Sequence, residues 1–232
     1  MTEELLSFWE HVAKLRRVLL LSFCAFLITT ICAFCFREFL FSWLLAPLHQ
    51  EIGFVLLSPF EGFLATMKVS FIAGIALSSP LWATLLFGFV RPALKTTTRR
   101  FTLLLLALSY LLLALATLLC YRITLPMSVG FFLHFNQALA SNLWSLSATL
   151  GFILGLYLAH MVAFELILLL FLLIHWRLIG PQILKKARPF VIISIFILSA
   201  LLTPPDLFSQ LALSVPLLLF YELGALYARF IR

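Results

Sequence analysis

Long apolar runs with little polar alternation dominate this chain. Residues 18–36, 69–90, 101–121 and 146–174 are each long enough to cross a hydrocarbon core of about 30 Å as a helix rising about 1.5 Å per residue. Two weaker runs follow at 190–202 and 207–227, the second interrupted by Pro216 and Glu222. The pattern predicts an all-α, polytopic membrane protein with six transmembrane helices, at about 18–36, 58–90, 101–121, 146–174, 190–202 and 204–228. The fifth is short. Its apolar run rises only about 20 Å, so it must thin the bilayer locally or be shielded by neighbours. Ahead of the first span, Leu5, Phe8, Trp9, Val12 and Leu15 recur at helical spacing among Glu3, Glu4, Ser7, Glu10 and Lys14. Residues 1–16 therefore predict an amphipathic helix on the cytoplasmic membrane surface. With no linker or low-complexity segment, 1–232 reads as one membrane domain.

Composition agrees: 64% hydrophobic residues, 11% charged, mean hydropathy +1.15. Soluble domains carry about 25% charged residues. The net charge of +7 would suggest nucleic acid in a soluble protein, but its placement points to topology instead. With six spans, the N-terminal tail, the 91–100 and 175–188 loops and the C-terminus share one side. That side holds all of the 16 basic residues except Arg37, Lys68 and Arg122. The positive-inside rule puts both termini in the cytoplasm, and no nucleic-acid site is expected. No cleavable signal peptide is expected either, because the N-terminus is polar and no small-x-small site follows the first run. Cys24, Cys32, Cys35 and Cys120 read as buried apolar thiols; Cys32 and Cys35 have a redox spacing but sit in an apolar helix.

Glu165 is the most informative residue. It is a lone carboxylate in the 146–174 run, where an ionisable group costs about 2.5–3.5 kcal/mol on insertion scales. Its axial neighbours Met161, Val162, Leu168 and Leu169 cannot pair with it. The partner must come from another helix, water, a bound polypeptide or a proton. Gly151, Gly155, Ala159 and Ala163 form a small-residue stripe that predicts close approach of another helix backbone, with Glu165 at its edge. Ser58-Pro59-Phe60-Glu61 and Thr203-Pro204-Pro205-Asp206 read as capping boxes with proline at the first helical position, both on the extracytoplasmic side. Pro80, Pro126 and Pro216 are expected to kink or end their helices.

Enzymatic machinery is absent from the sequence. There is no phosphate loop, no HExxH pair, no GxSxG elbow and no metal-spaced His/Cys cluster, so no catalytic residue, metal or cofactor is expected. Work on a solute must draw on partners or on the membrane gradient.

Taken together, these landmarks resemble TatC, the multi-spanning receptor component of twin-arginine protein translocation. The resemblance is carried by His11-x-x-x-Leu15-Arg16, Ala46-Pro47-Leu48, Ser58-Pro59-x-Glu61, Lys68, Ser79-Pro80, Phe89-x-x-Pro92-Ala93-Leu94 and Arg99-Arg100. Its most specific part is Phe164-Glu165, Lys186-x-Arg188-Pro189-Phe190, Leu202-Thr203-Pro204-Pro205-Asp206-x-Phe208-Ser209-Gln210, Pro216 and Glu222-x-Gly224. The resemblance implies six tilted helices in a concave glove, both termini cytoplasmic, in the cytoplasmic (inner) membrane, with the Glu165 position facing the hollow. It implies binding of twin-arginine signal peptides of folded precursors and assembly with single-span TatA- and TatB-type subunits. A homo-oligomer is a further expected partner state, and export would be driven by the proton-motive force. By resemblance, Arg16, Phe89 and Arg99, with Glu10, would meet the signal on the cytoplasmic side. Glu165 and Gln210 would offer intramembrane contacts. Pro47, Ser58, Glu61, Pro80, Thr203, Pro204 and Asp206 would shape the fold and its extracytoplasmic rim.

Two positions depart from the family pattern: Lys14 and Thr98 stand where the family has the glutamates that receive the signal arginines. Glu10 either pairs locally with Lys14, one turn away, or takes over one arginine contact; a third alternative is tolerance of signals with fewer arginines. The competing function is a proton-coupled small-solute transporter with Glu165 as carrier, although no internal repeat is evident.

Overall fold

The computed structural model describes residues 2–48, 52–90, 99–137, 143–203 and 207–230, with side chains at 2–8, 10, 11, 90, 99 and 202 excepted. Helix dominates: α1 (Thr2–Cys35), α2 (Arg37–Leu45), α3 (Glu61–Val90), α4 (Arg99–Leu119), α5 (Leu125–Gln137), α6 (Leu146–His175), α7 (Pro181–Leu202) and α8 (Leu207–Phe230). Five stretches among the described residues are long and apolar enough to cross a membrane: most of α1 and α3, the continuous rod Arg100–Gln137, α6 and α8. α7 starts well before its apolar run and carries Lys185, Lys186 and Arg188 in its first half.

The chain departs from a purely α architecture. Strands β1 (Gly53–Val55) and β2 (Leu143–Ser145), ninety residues apart in sequence, pair in parallel with Phe54 opposite Trp144. Three-residue strands carry too little alternation to announce themselves. The predicted surface helix 1–16 is continuous with the first span, because no breaker separates Lys14 from Val18. The third span likewise runs on to Gln137, about 57 Å at 1.5 Å per residue. Pro126 does not end it. A π turn at Cys120–Thr124, closed by the Leu125 N–H on the Cys120 carbonyl, precedes this proline and takes up the ring that would otherwise meet the preceding turn.

Pro80 is also accommodated within a helix. Its missing N–H would leave the Ala76 carbonyl unpaired, and the Ser79 hydroxyl donates to that oxygen at 2.9 Å. Pro216 lies inside α8, which continues past it.

α6 is the central element. Its buried residues form apolar cores with α3, α4 and the π turn on one side and with α7 and α8 on the other. Within it, His160 is fully buried. Its Nδ1 donates to the Leu156 carbonyl (2.8 Å), so in the neutral ring Nε2 accepts the Thr124 hydroxyl (3.0 Å), tying α6 to the π turn. α6 ends with Arg177 in the left-handed region (φ 58°), while the Leu178 N–H bonds back to the Leu173 carbonyl.

The small-residue stripe on α6 does not act as expected. Ala159 and Ala163 are buried against Leu213 of α8, but a Cβ at Gly151 or Gly155 would meet nothing within 4 Å. The close helix crossing lies at Gly74 instead, where a Cβ would fall 2.9 Å from Thr30 Cα on α1. There the Thr29 hydroxyl donates to the Gly74 carbonyl at 2.9 Å.

Candidate functional site

Glu165 is half-buried on α6, and its partner comes from a neighbouring helix. The Ser109 hydroxyl, fully buried on α4, donates to Glu165 Oε1 at 2.7 Å. The ion pairs among the described residues are Arg37–Glu38 and Arg188–Glu222, so no described base holds the Glu165 carboxyl. Sequence reasoning required a partner off the helix but did not find Ser109; a hydroxyl inside another span's apolar run was the signal available.

One turn back along α6, Met161 helps line a hollow of about 220 Å³ between α2, α3, α4 and α6. Its wall includes Trp43, Leu77, Leu113, Thr117 and Tyr157, and Leu113 sits one turn from Ser109. Tyr157 packs on Trp43 at 5.5 Å, and Trp43 stacks on Tyr121 at 4.9 Å. Glu165 and Ser109 are thus each one helical turn from a residue in the wall of this apolar hollow, Met161 and Leu113.

Gln210 does not join this site. Its side-chain amide donates to the Phe196 carbonyl of α7 (3.2 Å) and so holds the α7–α8 hairpin. The same hairpin is tied by Arg188 Nε to Glu222 Oε1 (2.7 Å) and by the Tyr221 hydroxyl to the Leu184 carbonyl (2.7 Å).

The rim residues resolve into different roles. Glu61 opens α3 and accepts hydrogen bonds from the Ser145 hydroxyl (2.6 Å), the Ser147 N–H (2.9 Å) and the Leu57 N–H. It therefore clamps the start of α3 to the start of α6, beside the two-stranded sheet. Its capping box is shifted by one residue: Ser58 Oγ accepts from the Phe60 N–H, and of the amides ahead of it Glu61 accepts chiefly from that of Leu57, with a lesser contribution from that of Ser58. The Thr203 hydroxyl donates to the Ser199 carbonyl (2.7 Å), closing the end of α7, while the remainder of its predicted capping box, 204–206, lies outside the described residues. Pro47 is half-buried in the turn after α2 and Pro80 is buried in α3. Pro204 and Asp206 lie outside the described residues.

On the opposite end, α1 runs antiparallel to α3, with Thr30 against Gly74 and Phe34 sharing a groove with Met67 and Lys68. This register places exposed Arg16 and half-buried Phe89 at the same end. Phe87 meets Trp176 there at 6.0 Å, and Phe101 stacks on His175 at 5.3 Å. Lys14 is exposed on α1; the side chains of Glu10 and Arg99, and Thr98 altogether, lie outside the described residues.

Comparison with known proteins agrees with this architecture. The family model described as Sec-independent protein translocase protein (TatC) matches residues 10–216. TatC of Aquifex aeolicus is 34% identical over 220 residues, covering 93% of this chain and 91% of its own. TatC of Desulforapulum autotrophicum is 33% identical over 231 residues, with 98% and 86% covered. That of Escherichia coli K12 is 29% identical over 224 residues, with 95% and 87% covered. A crystal structure described as the twin arginine translocase receptor TatC in DDM matches with a TM-score of 0.84 at 33% identity, covering 94% of this chain and 99% of that one. A multi-pass membrane protein by its apolar helices and a protein-transport component by these relationships, the chain belongs to the TatC family of Sec-independent protein translocase proteins.

Proposed function

We propose that this chain is the receptor core of a twin-arginine translocase. It binds signal peptides of folded precursors and assembles with TatA- and TatB-type single-span subunits for export driven by the proton-motive force. The observation that carries this reading is Glu165: a carboxyl held by the Ser109 hydroxyl, one helical turn from the wall of an apolar hollow, with no described base to neutralise it. An intramembrane polar group so arranged suits a hydrogen bond to the membrane helix of another polypeptide. α6 runs unbroken from Leu146 to His175, unlike the discontinuous helices of many secondary-transporter sites.

The orientation supported is six spans with both termini in the cytoplasm of an inner membrane, α7 being the short fifth. Arg16, Arg17, Arg100, Arg177, Lys185, Lys186, Arg188 and Arg229 favour that side for one end of the bundle. There Arg16 and Phe89 would meet the signal, with Glu10 taking over one arginine contact. On that account Glu10→Gln weakens binding of a twin-arginine peptide and Lys14→Glu strengthens it.

The test is photo-crosslinking in membranes that export a twin-arginine precursor, with the crosslinker placed in turn at Leu113, Met161, Glu165 and, as an outward control, Ile28. Crosslinks to the signal peptide or to a single-span partner from the first three positions and not from Ile28 are expected. Active export with no such adduct from Leu113, Met161 or Glu165 refutes the reading.

A further inference from the structure

On the far side of the α4–α6 contact a second crevice runs between α4, α6 and α8. Its walls are Leu104 and Leu108, Ile167 and Phe171, and Phe220 and Leu223. Leu104, Leu108 and Leu223 are exposed, so the crevice opens outward to where lipid would lie. Along α4 it extends from Phe101 to Leu112, about 16 Å of helix, with a volume of about 420 Å³. Elongated, apolar-walled and open on the side where lipid would lie, the crevice suits a hydrocarbon chain.

Its end is polar. Phe101 stacks on His175, and His175 Nδ1 lies 3.1 Å from the Tyr227 hydroxyl, joining the ends of all three helices. The same end carries Arg100 at the start of α4, Arg177 after α6 and Arg229 in the last turn of α8. The described acid on the second half of α8, Glu222, is engaged by Arg188. Apolar walls below a positively charged rim complement a molecule with an acyl chain and an anionic head.

We propose that the α4–α6–α8 crevice binds an anionic phospholipid, one acyl chain lying between Leu108, Phe171 and Leu223 and the phosphate headgroup meeting the His175–Tyr227 pair and Arg100. Binding there fills the gap that the crossing of α4 over α6 leaves open and anchors the basic end of the bundle at the headgroup level.

The protein is reconstituted at one copy per nanodisc of phosphatidylcholine containing a minor fraction of phosphatidylglycerol with a diazirine on its acyl chain. Parallel discs carry phosphatidylcholine with the same labelled chain, and adducts are mapped by mass spectrometry. Ile28 and Ile31 on the exposed face of α1 report ordinary lipid contact. Crevice labelling relative to α1 should be about fivefold higher for the anionic lipid, the bias that one surface arginine provides. Leu223→Trp should reduce crevice labelling without changing that of α1, and Arg100→Gln should bring the two headgroups closer together. Equal labelling by both headgroups, or crevice labelling no greater than that of α1, overturns the proposal. So does crevice labelling that disappears when several copies share a disc, which would assign the crevice to a second copy.

Discussion

Replacing Gly74 with alanine probes the α1–α3 crossing with a single methyl group. An ideal Cβ at Gly74 falls 2.0 Å from Thr30 Oγ1 and 2.9 Å from both Thr30 Cα and Cβ. The hydroxyl can rotate away, but the backbone carbon cannot. Ordinary contact begins at 3.4 Å, so α1 must withdraw by about 0.5 Å, since a packed interface has no slack to absorb the clash. That movement also stretches the Thr29 hydroxyl bond to the Gly74 carbonyl, now 2.9 Å. Overpacking costs about 1–3 kcal/mol, and a lost interhelical hydrogen bond in a membrane adds about 0.6 kcal/mol. Alanine offsets about 1 kcal/mol through its better helix propensity. The net expectation is a loss of about 0.6–2.6 kcal/mol, concentrated on α1, which packs chiefly on α3. Equilibrium unfolding in mixed micelles measures it. The partner substitution sharpens the test: Thr30→Gly removes Oγ1 and Cβ but leaves Cα, so it should recover part of the loss and not all of it. A Gly74→Ala protein as stable as the parent, or more stable, would mean that propensity decides and that the crossing is not close; the reasoning would then be wrong.

Three further outcomes follow from the hydrogen bonds. Ser109→Ala should destabilise by about 0.6 kcal/mol, at most about 1.7, and should cost nothing further in a Glu165→Leu background; additive losses in that double-mutant cycle would deny the Ser109–Glu165 bond. Ser79→Ala should cost about 1 kcal/mol because the Ala76 carbonyl loses its donor, whereas in a Pro80→Ala background the restored N–H should erase the effect; equal losses in both backgrounds would exclude the compensation. Glu61→Ala should accelerate amide exchange at Leu57 and Ser147 together, with Glu61→Gln retaining part of the protection. Unchanged exchange at both amides would show that the clamp across α3 and α6 is not formed.

Much of the architecture was legible because crossing a membrane is a local property. The run at 18–36 lies within α1 but for its last residue and that at 146–174 lies within α6, since apolar length alone makes a span and intrahelical bonds satisfy the backbone wherever the helix sits. The isolation of Glu165 among Met161, Val162, Leu168 and Leu169 was equally local, and it correctly required a partner from elsewhere. Pro126 misled because a proline's cost depends on neighbours: the π turn ahead of it lets the α4–α5 rod continue past the predicted end at 121, while Pro80, inside the predicted 58–90 span, is accommodated by the Ser79 hydroxyl. The Thr203 hydroxyl also closes the end of α7 on the Ser199 carbonyl, a bond that the capping-box pattern did not announce.

The amino-acid order by itself determined which segments are apolar enough to leave water, where the positive charge gathers, and that one carboxyl would be stranded in an apolar helix. Tertiary structure alone decided that Ser109 meets that carboxyl, that Gly74 and not Gly151 or Gly155 carries the close crossing, and that Glu61 joins two helix starts beside β1 and β2. The physical reason is range. Hydropathy and helix formation are set by neighbours along the chain, whereas crossing angles and hydrogen-bond partners emerge only when whole helices pack and must fill the space between them.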